Sequence, residues 1–499
     1  MFMKKNHLLA TMKTCLLMTA GLFLASCAQD GFDEETFTGT YGGYQLATPD
    51  ASSVKVKSSS DKTEQTITWN TVSGAISYVV SIYEGENKEN VVVKDKLVRR
   101  ASITIPRKAR SYYSIEIQTA YNEAEDNAAS EGKASYSWDT FIVEIDLPAG
   151  VDLVNYLDEH PTANDAMVDG ALCAVSYNLT AGANYTMGGM VDFGAYNVTL
   201  TCDDPTNKAK LLLSEEKSGF ETSGALVLEN LYIDGFDSKA AFIAMSEKPA
   251  IEPIIVNAWG ADYNFYCDRD DIEVRGCEIH GLTSYFFYDN QVSCWFPTTL
   301  TIDDCIVEFA TPSDSKALSG GYFWTNKGSG YIRNLTITNS TFYNTGEGDV
   351  KYFVQYGGFG WSQTNESLGW ADNTITYDHC TFYHVCSNGQ WGNYNGIAGK
   401  STSFWNMTNC IFFDCSSSGV PRRFLAGKQN QATATFLNNT YQKKDGSFDT
   451  SNNVYSYDIS GTDIQESPNF KNPSAGDFSI SGSKQATLGT GDPRWLPKE

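Results

Sequence analysis

Five segments between residues 286 and 428 share an apolar run that ends on polar or small residues. They are Phe286-Phe287-Tyr288-Asp289-Asn290, Phe323-Trp324-Thr325-Asn326-Lys327, Phe353-Val354-Gln355-Tyr356-Gly357, Ile397-Ala398-Gly399-Lys400 and Phe424-Leu425-Ala426-Gly427-Lys428. Stacked as neighbouring strands, they put Lys327, Lys400 and Lys428 on one face, with Gly357 breaking the line and Arg422 and Arg423 just ahead of the last segment. Strands in such a stack lie about 4.8 Å apart, so a line of cations could meet successive charged units of an extended polymer. The bland alternative is that lysines end strands simply to stay solvated. Stretches beside this face, rich in Gly and Asn, carry Trp324, Tyr356, Phe359, Trp361, Trp370, Trp391 and Tyr394. Flat rings stack on sugar faces and amides bond hydroxyls; the same rings could instead cap coil edges. The expected carbohydrate-binding set is Trp324, Lys327, Tyr356, Trp361, Trp370, Trp391, Tyr394, Lys400 and Lys428.

Cutting a uronate polymer by β-elimination needs a cation or calcium on the carboxylate and a base for the adjacent proton. Lys400, Arg422, Arg423 and Lys428 would supply base and clamp if the chain is a lyase. Calcium would enter only in that case, through Asp268, Asp270 and Asp271 or through Asp303 and Asp304. Adjacent acids on a strand point to opposite faces, so only one of Asp303 and Asp304 could reach an ion on a given face. No metal site and no cofactor is assigned on these residues. His379 and His384 read as a turn residue and a strand residue rather than a catalytic pair.

The elements that must position these residues are legible in a repeat: an apolar residue, a usually small or thiol residue three positions on, and an apolar residue two further. Seven copies occur: Leu228/Leu231/Ile233, Val274/Cys277/Ile279, Ile302/Cys305/Val307, Ile337/Ser340/Phe342, Tyr377/Cys380/Phe382, Met407/Cys410/Phe412 and Phe436/Asn439/Tyr441. Their middle positions are 46, 28, 35, 40, 30 and 29 residues apart, so one rung recurs with loops of variable length between rungs. Asn230, Gly276, Asp304, Asn339, His379, Asn409 and Asn438 stand just before the middle position, where a tight bend is expected. Short strand, bend and short strand make one coil of a parallel β-helix, right-handed by the crossover preference. Cys277, Cys305, Cys380 and Cys410 would then form an inward column of small hydrophobes instead of disulfides.

Residues 150–499 resemble the pectin-lyase-like right-handed β-helix superfamily. The stretch Tyr177-Asn178-Leu179-Thr180-Ala181-Gly182-Ala183-Asn184-Tyr185-Thr186 looks like the start of such a helix. The run from Pro468-Asn469-Phe470 through Gly476-Asp477-Phe478 to Asp492-Pro493-Arg494-Trp495 resembles the closing segment of uncharacterised lipoprotein families that join a fibronectin-like module to this helix. The resemblance implies a fold and leaves activity open, since the superfamily holds lyases, hydrolases, epimerases and binders. Its hydrolases use clustered Asp residues. Here Asp289, Asp303, Asp304, Asp314, Asp349, Asp372, Asp378 and Asp414 are scattered along the chain.

Residues 50–143 alternate with period two in Thr66-Ile67-Thr68-Trp69, Ser77 to Tyr83, Ser102 to Ile105 and Tyr113 to Thr119, the pattern of an antiparallel sandwich. Trp69, Tyr78 and Tyr113 give this stretch a resemblance to fibronectin type III domains, which implies a spacer. Residues 27–49 read as a flexible acidic linker. Ahead of them, Lys4, Lys5 and Lys13 precede an apolar run, and Leu24-Ala25-Ser26-Cys27 resembles the lipobox of bacterial lipoproteins. That implies a signal peptide over 1–26, lipidation of Cys27, and a membrane anchor made of lipid. Asp30, Asp33, Glu34 and Glu35 resemble a surface-export signal of Gram-negative glycan-uptake systems, with a plain solvated linker as the alternative. The outer membrane surface is the expected location, periplasm-facing anchoring the other option, and outer-membrane glycan transporter components possible neighbours.

The 499 residues include 60 acidic and 36 basic ones, a formal charge of −24, and losing residues 1–26 with their three lysines makes it −27. So acidic a chain repels nucleic-acid phosphates, and no nucleic-acid partner is expected. The expectation is an all-β surface lipoprotein that binds a polysaccharide, acidic and pectin-like, for uptake. A polysaccharide lyase, or a structural or adhesion protein with no glycan ligand, are the alternatives.

Overall fold

The structure, a computed structural model, describes residues 43–498 apart from 60–62, 109–110, 169–170, 247–251, 259–260, 290–293, 314–319, 326–329, 358–369, 371, 395–396, 398–400, 425–431, 450–457 and 482. Cys27, Lys327, Phe359, Trp361, Lys400 and Lys428 lie outside the described residues, as does Asp314, and so do the side chains of Asp268 and Asp270. The chain divides into two compact units, Met1–Phe141 and Ile142–Glu499.

The first unit holds two antiparallel sheets, one of Lys55–Ser58, Glu64–Thr68 and Ser102–Pro106, the other of Asn90–Val98, Tyr78–Glu84, Tyr112–Thr119 and Ala134–Asp139. Alternate residues Ile67, Val80, Ile82, Ile103, Ile105, Ile115 and Ile117 build its core, with Trp69 packed edge-on to Tyr78 at 5.4 Å. Asn90–Val98 carries no clean alternation in sequence because it is an edge strand. It is largely exposed, charged at Lys94, Asp95 and Lys96, and kinked where Asp95 takes φ 46°.

The second unit is a parallel β-helix. Its first sheet runs from Ile142–Asp146 and Ala174–Leu179 to Ser403–Thr408 and Thr433–Leu437. The second runs from Asn184–Met187 to Thr440–Gln442, and the third from Met190–Asp192 through Gly321–Thr325 and Tyr352–Gln355 to Gln390–Asn393. From Ala174 to Asn393 each turn of the chain visits the three sheets in the same order, and the last two turns add described strands to the first two sheets only. The seven repeat copies stack in register on both sides of the first corner. Leu228, Val274, Ile302, Ile337, Tyr377, Met407 and Phe436 are successive ladder partners in the first sheet. Ile233, Ile279, Val307, Phe342, Phe382, Phe412 and Tyr441 are successive partners in the second. Between the two sheets Asn230, Gly276, Asp304, Asn339, His379, Asn409 and Asn438 all adopt left-handed φ of 49 to 62°, the conformation that Asn, Asp and Gly tolerate best. A side chain on Gly276 would also meet Asn230 Oδ1 at 2.4 Å.

Cys277, Cys305, Cys380 and Cys410 are fully buried free thiols. Each of the four donates to carbonyls of its own corner, as Cys305 Sγ does to Asp303 O at 3.2 Å. Ser340 and Asn439 occupy the same column and extend it to the neighbouring coil: Cys305 N donates to Ser340 Oγ and Cys410 N to Asn439 Oδ1. Phe342, Phe382, Phe412 and Tyr441 form a stacked aromatic column with centroids 5.0 to 5.6 Å apart, each contact adding about 0.5–1.5 kcal/mol beyond area burial.

Residues 464–495 run back along the outside of the second sheet as a strap. Ile464 N donates to Asn439 O, Gln485 Nε2 to Thr440 Oγ1, Gly491 N to Asn409 O and Asp492 N to Thr381 Oγ1. Thr341 Oγ1 then donates to Asp492 Oδ2 at 2.7 Å, and Arg494 reaches Asp304 at 2.5 Å.

Candidate functional site

Among the described residues, the third sheet corrects the expected binding face. Its ladder pairs Phe287 with Phe323 and Phe323 with Val354, one residue away from the expected alignment of Phe286, Phe323 and Phe353. Both Phe286 and Phe287 are fully buried, so hydrophobicity could not choose between registers. The next strand is Gln390–Asn393, whose glycine and amides carry little apolar signal. Of the expected segment at 397–400 only Ile397 is among the described residues, outside any strand, and Val420–Phe424 is a helix.

The expected sugar-stacking rings are largely core residues. Trp391, Tyr394 and Tyr356 are fully or almost fully buried, and Trp324 is 9% exposed. Trp391 stacks on Phe353 at 4.4 Å and meets Phe382 and Phe412 edge-on at 5.0 Å. Tyr394 packs on Trp405 and Tyr356, and Trp324 on Tyr285 and Tyr288. Every residue of Gly321–Thr325 is buried. The third sheet is therefore covered on both faces there, and a sheet buried twice reads as a continuous apolar run that mimics an aromatic platform. Trp370 is half-buried against Tyr331 and under the Arg333 guanidinium at 5.2 Å. Arg422 is exposed and Arg423 half-buried on the short helix, where Arg423 Nε donates to Ser418 Oγ. Neither arginine lines the cleft described next.

That cleft opens at the second corner, between the second and third sheets, with a volume of about 360 Å³. Its walls are the loop from Asn344 to Asp349, Tyr383, His384, Ser387 and Asn388 one coil on, Asp414 and Lys444 from the next two, and Pro473 and Ser474 of the strap. Tyr343 pairs with Tyr383 and Tyr383 with Phe413, so Asn344, His384 and Asp414 follow equivalent positions on consecutive coils. His384 does not continue the strand as expected. It ends it, at φ 55°, and Asp414 repeats the conformation at φ 51°. Stacking brings His384 Nδ1 to 2.6 Å from Asp414 Oδ2, and Ser387 Oγ donates to Asp414 O at 2.7 Å.

The loop carrying Asp349 is held from both ends. Gly346 and Gly348 press on the backbone of Thr311 and Pro312 so closely that a Cβ on Gly348 would lie 1.6 Å from Pro312 O. Asn344 Oδ1 accepts from Thr311 N and Gly346 N, and Thr345 Oγ1 donates to Glu308 Oε1. Asp349 accepts from Val350 N at 2.8 Å and from Asn388 N. Tyr383 gives the cleft a half-buried aromatic wall, stacked on Phe413 at 5.1 Å and held edge-on by Phe478.

Two of the three carboxyls on this lining, Asp349 and Asp414, are tuned in opposite directions. Burial raises the Asp349 carboxyl above its ordinary range, and the negative charge of Asp414 adds to the rise despite the two backbone donors. Burial also acts to raise Asp414, but the His384 hydrogen bond and charge, with Lys444, outweigh it and hold that carboxyl below its ordinary value. Below the cleft the polar seam continues along the outside of the second sheet. There His280 Nδ1 lies 3.0 Å from Glu308 Oε2. Burial works against the charged imidazole, yet Glu278 and Glu308 carry its pKa up to about 9. Among the described residues no group of three or more His, Cys, Asp or Glu side chains could hold a metal ion. Asp303 instead accepts from Thr338 and Asn339, and Asp304 pairs with Arg494.

Fold and site together define a parallel β-helix with a polar cleft at one corner. Three family models match successive stretches of the chain: DUF4992 over residues 3–182, DUF4957 over 183–345 and DUF5123 over 375–495, each described as a domain of unknown function. The cleft takes Asn344 and Thr345 from the second stretch and Tyr383 to Ser474 from the third. No curated protein and no solved structure matches the chain.

Proposed function

We propose that the chain is a surface-anchored lipoprotein that binds a polysaccharide for a carbohydrate-uptake system, and that the second-corner cleft is where it does so. The observation that carries this reading is the cleft's lining: a half-buried tyrosine ring among amide, hydroxyl and carboxylate groups, in a space of about 360 Å³. A sugar ring needs one apolar face and several polar edges, and this wall offers both. The expectation of an acidic, pectin-like ligand rested on Lys327, Lys400 and Lys428. In the cleft Glu347, Asp349 and Asp414 face Lys444 and His384, a balance that favours a neutral glycan. The lipobox-like Leu24-Ala25-Ser26-Cys27 supplies the anchor in this reading, and the fibronectin-like sandwich with Trp69, Tyr78 and Tyr113 serves as spacer.

The test is affinity gel electrophoresis of the full chain carrying Cys27→Ala on xylan, mannan, β-glucan and polygalacturonate. Retardation on a neutral polymer, weakened about tenfold by Tyr383→Ala with the melting temperature kept, is the expected result. No retardation on any polymer overturns the reading. Release of unsaturated products from polygalacturonate would favour the lyase instead. Lipid labelling of the wild type that persists in Cys27→Ala would overturn the anchor.

A further inference from the structure

We propose that the cleft hydrolyses the glycan it holds, with Asp349 as proton donor and Asp414, aimed by His384, as the base that activates water. This rests on the cleft being the glycan site. The geometry is that of two carboxyls reaching one solvent-open space from different coils, separated in sequence by 65 positions but brought together by stacking. Each is fixed by its own support. Val350 N and Asn388 N pin Asp349 on a loop that the Gly348 contact holds down, and His384 Nδ1 pins Asp414 Oδ2 at 2.6 Å. Two carboxyls in one site whose surroundings drive their ionisation apart divide naturally into acid and base. Here the burial of Asp349 favours its protonated form, while His384 and Lys444 favour the ionised form of Asp414.

In the step itself, Asp349 gives its proton to the glycosidic oxygen as the bond from the anomeric carbon to that oxygen breaks. Water forms the new bond to the anomeric carbon and loses a proton to Asp414. The proton on Asp414 passes to solvent and Asp349 is reprotonated from solvent, so one water is consumed and no other reactant is needed. Tyr383 would carry the ring of the sugar. Glu347, His384 and Lys444 are the other charged or titratable groups on the lining.

The experiment measures new reducing ends released from xylan, mannan and β-glucan by the full chain with Cys27→Ala. Release is expected from a polymer that retards the protein, falling by about a hundredfold or more in Asp349→Asn and in Asp414→Asn, each melting like the parent. Rate against pH should be bell-shaped. Because His384 lowers the Asp414 carboxyl, His384→Gln should move the acidic limb to higher pH, which a merely structural loss would not do. Retardation without release overturns hydrolysis and leaves binding intact. Release unchanged in both Asp variants overturns the assignment of the pair. Absence of both retardation and release overturns the glycan reading itself.

Discussion

The two corners of the same coils obey different rules. At the first, seven residues repeat one left-handed turn, and the repeat positions on either side stay paired from Leu228 to Phe436 in the first sheet and from Ile233 to Tyr441 in the second. At the second, the loops after Asn344, Tyr383 and Phe413 differ in length and sequence, and their polar groups converge on a cleft. A β-helix gains its stability from what repeats. The corner freed from repetition is where unlike groups can be brought together, and it is where the two oppositely tuned carboxyls sit.

The largest effect that would sharpen this contrast lies inside the coils. Trp391→Ala should cost about 3–5 kcal/mol of unfolding free energy, because the ring is fully buried between Phe353, Phe382 and Phe412. A denaturant titration checks it, and a stable variant with lost glycan binding would restore Trp391 as a surface platform.

Next in size is a pH effect on the strap. Burial raises the Asp492 carboxyl from 3.8 to about 6 against the opposing pull of Arg494 and the Thr341 hydrogen bond, with Asp304 adding to the rise. The folded chain therefore holds this proton more tightly than the unfolded chain does. The stability it contributes is fully present below pH 3.8 and is lost as pH rises through about 6, a change of about 3 kcal/mol. Unfolding curves at pH 5 and 7.5 should differ less in Asp492→Asn than in the parent; an unchanged difference would remove Asp492 as its source.

The smallest pair compares the corners directly. Asn409→Val puts a branched side chain at φ 52° and should cost about 1–2 kcal/mol. Lys444→Ala, on the exposed rim of the cleft, should stay within about 0.5 kcal/mol. Equal losses in thermal melts would mean that the second corner is as structural as the first.

The repeat made the first corner readable before any coordinates, down to which residue turns the chain, because apolar spacing and bend chemistry point to the same positions. It began only at Leu228. In the two preceding coils, where Tyr177 pairs with Leu200 and Leu200 with Leu228, the first corner is longer and the three-residue spacing fails. The cleft was hidden for a different reason. Asp349, His384 and Asp414 look scattered until coil stacking turns intervals of 35 and 30 residues into adjacency. A signal for it did exist: Asn344, His384 and Asp414 each stand two residues past the last apolar member of a repeat copy. The buried aromatics misled because a strand covered on both faces carries the same residues as a platform that meets sugar.

The strap has a consequence for how the helix is assembled. Residues 464–495 follow in the chain all the coils they bridge, yet they supply the partners of Thr341, Thr381 and Asp304 well back in the stack. A chain made from its N-terminal side must therefore stack these coils first with their hydroxyls still open, and fasten them afterwards. The seam closes backwards, so that the middle of the helix is the last part to be locked.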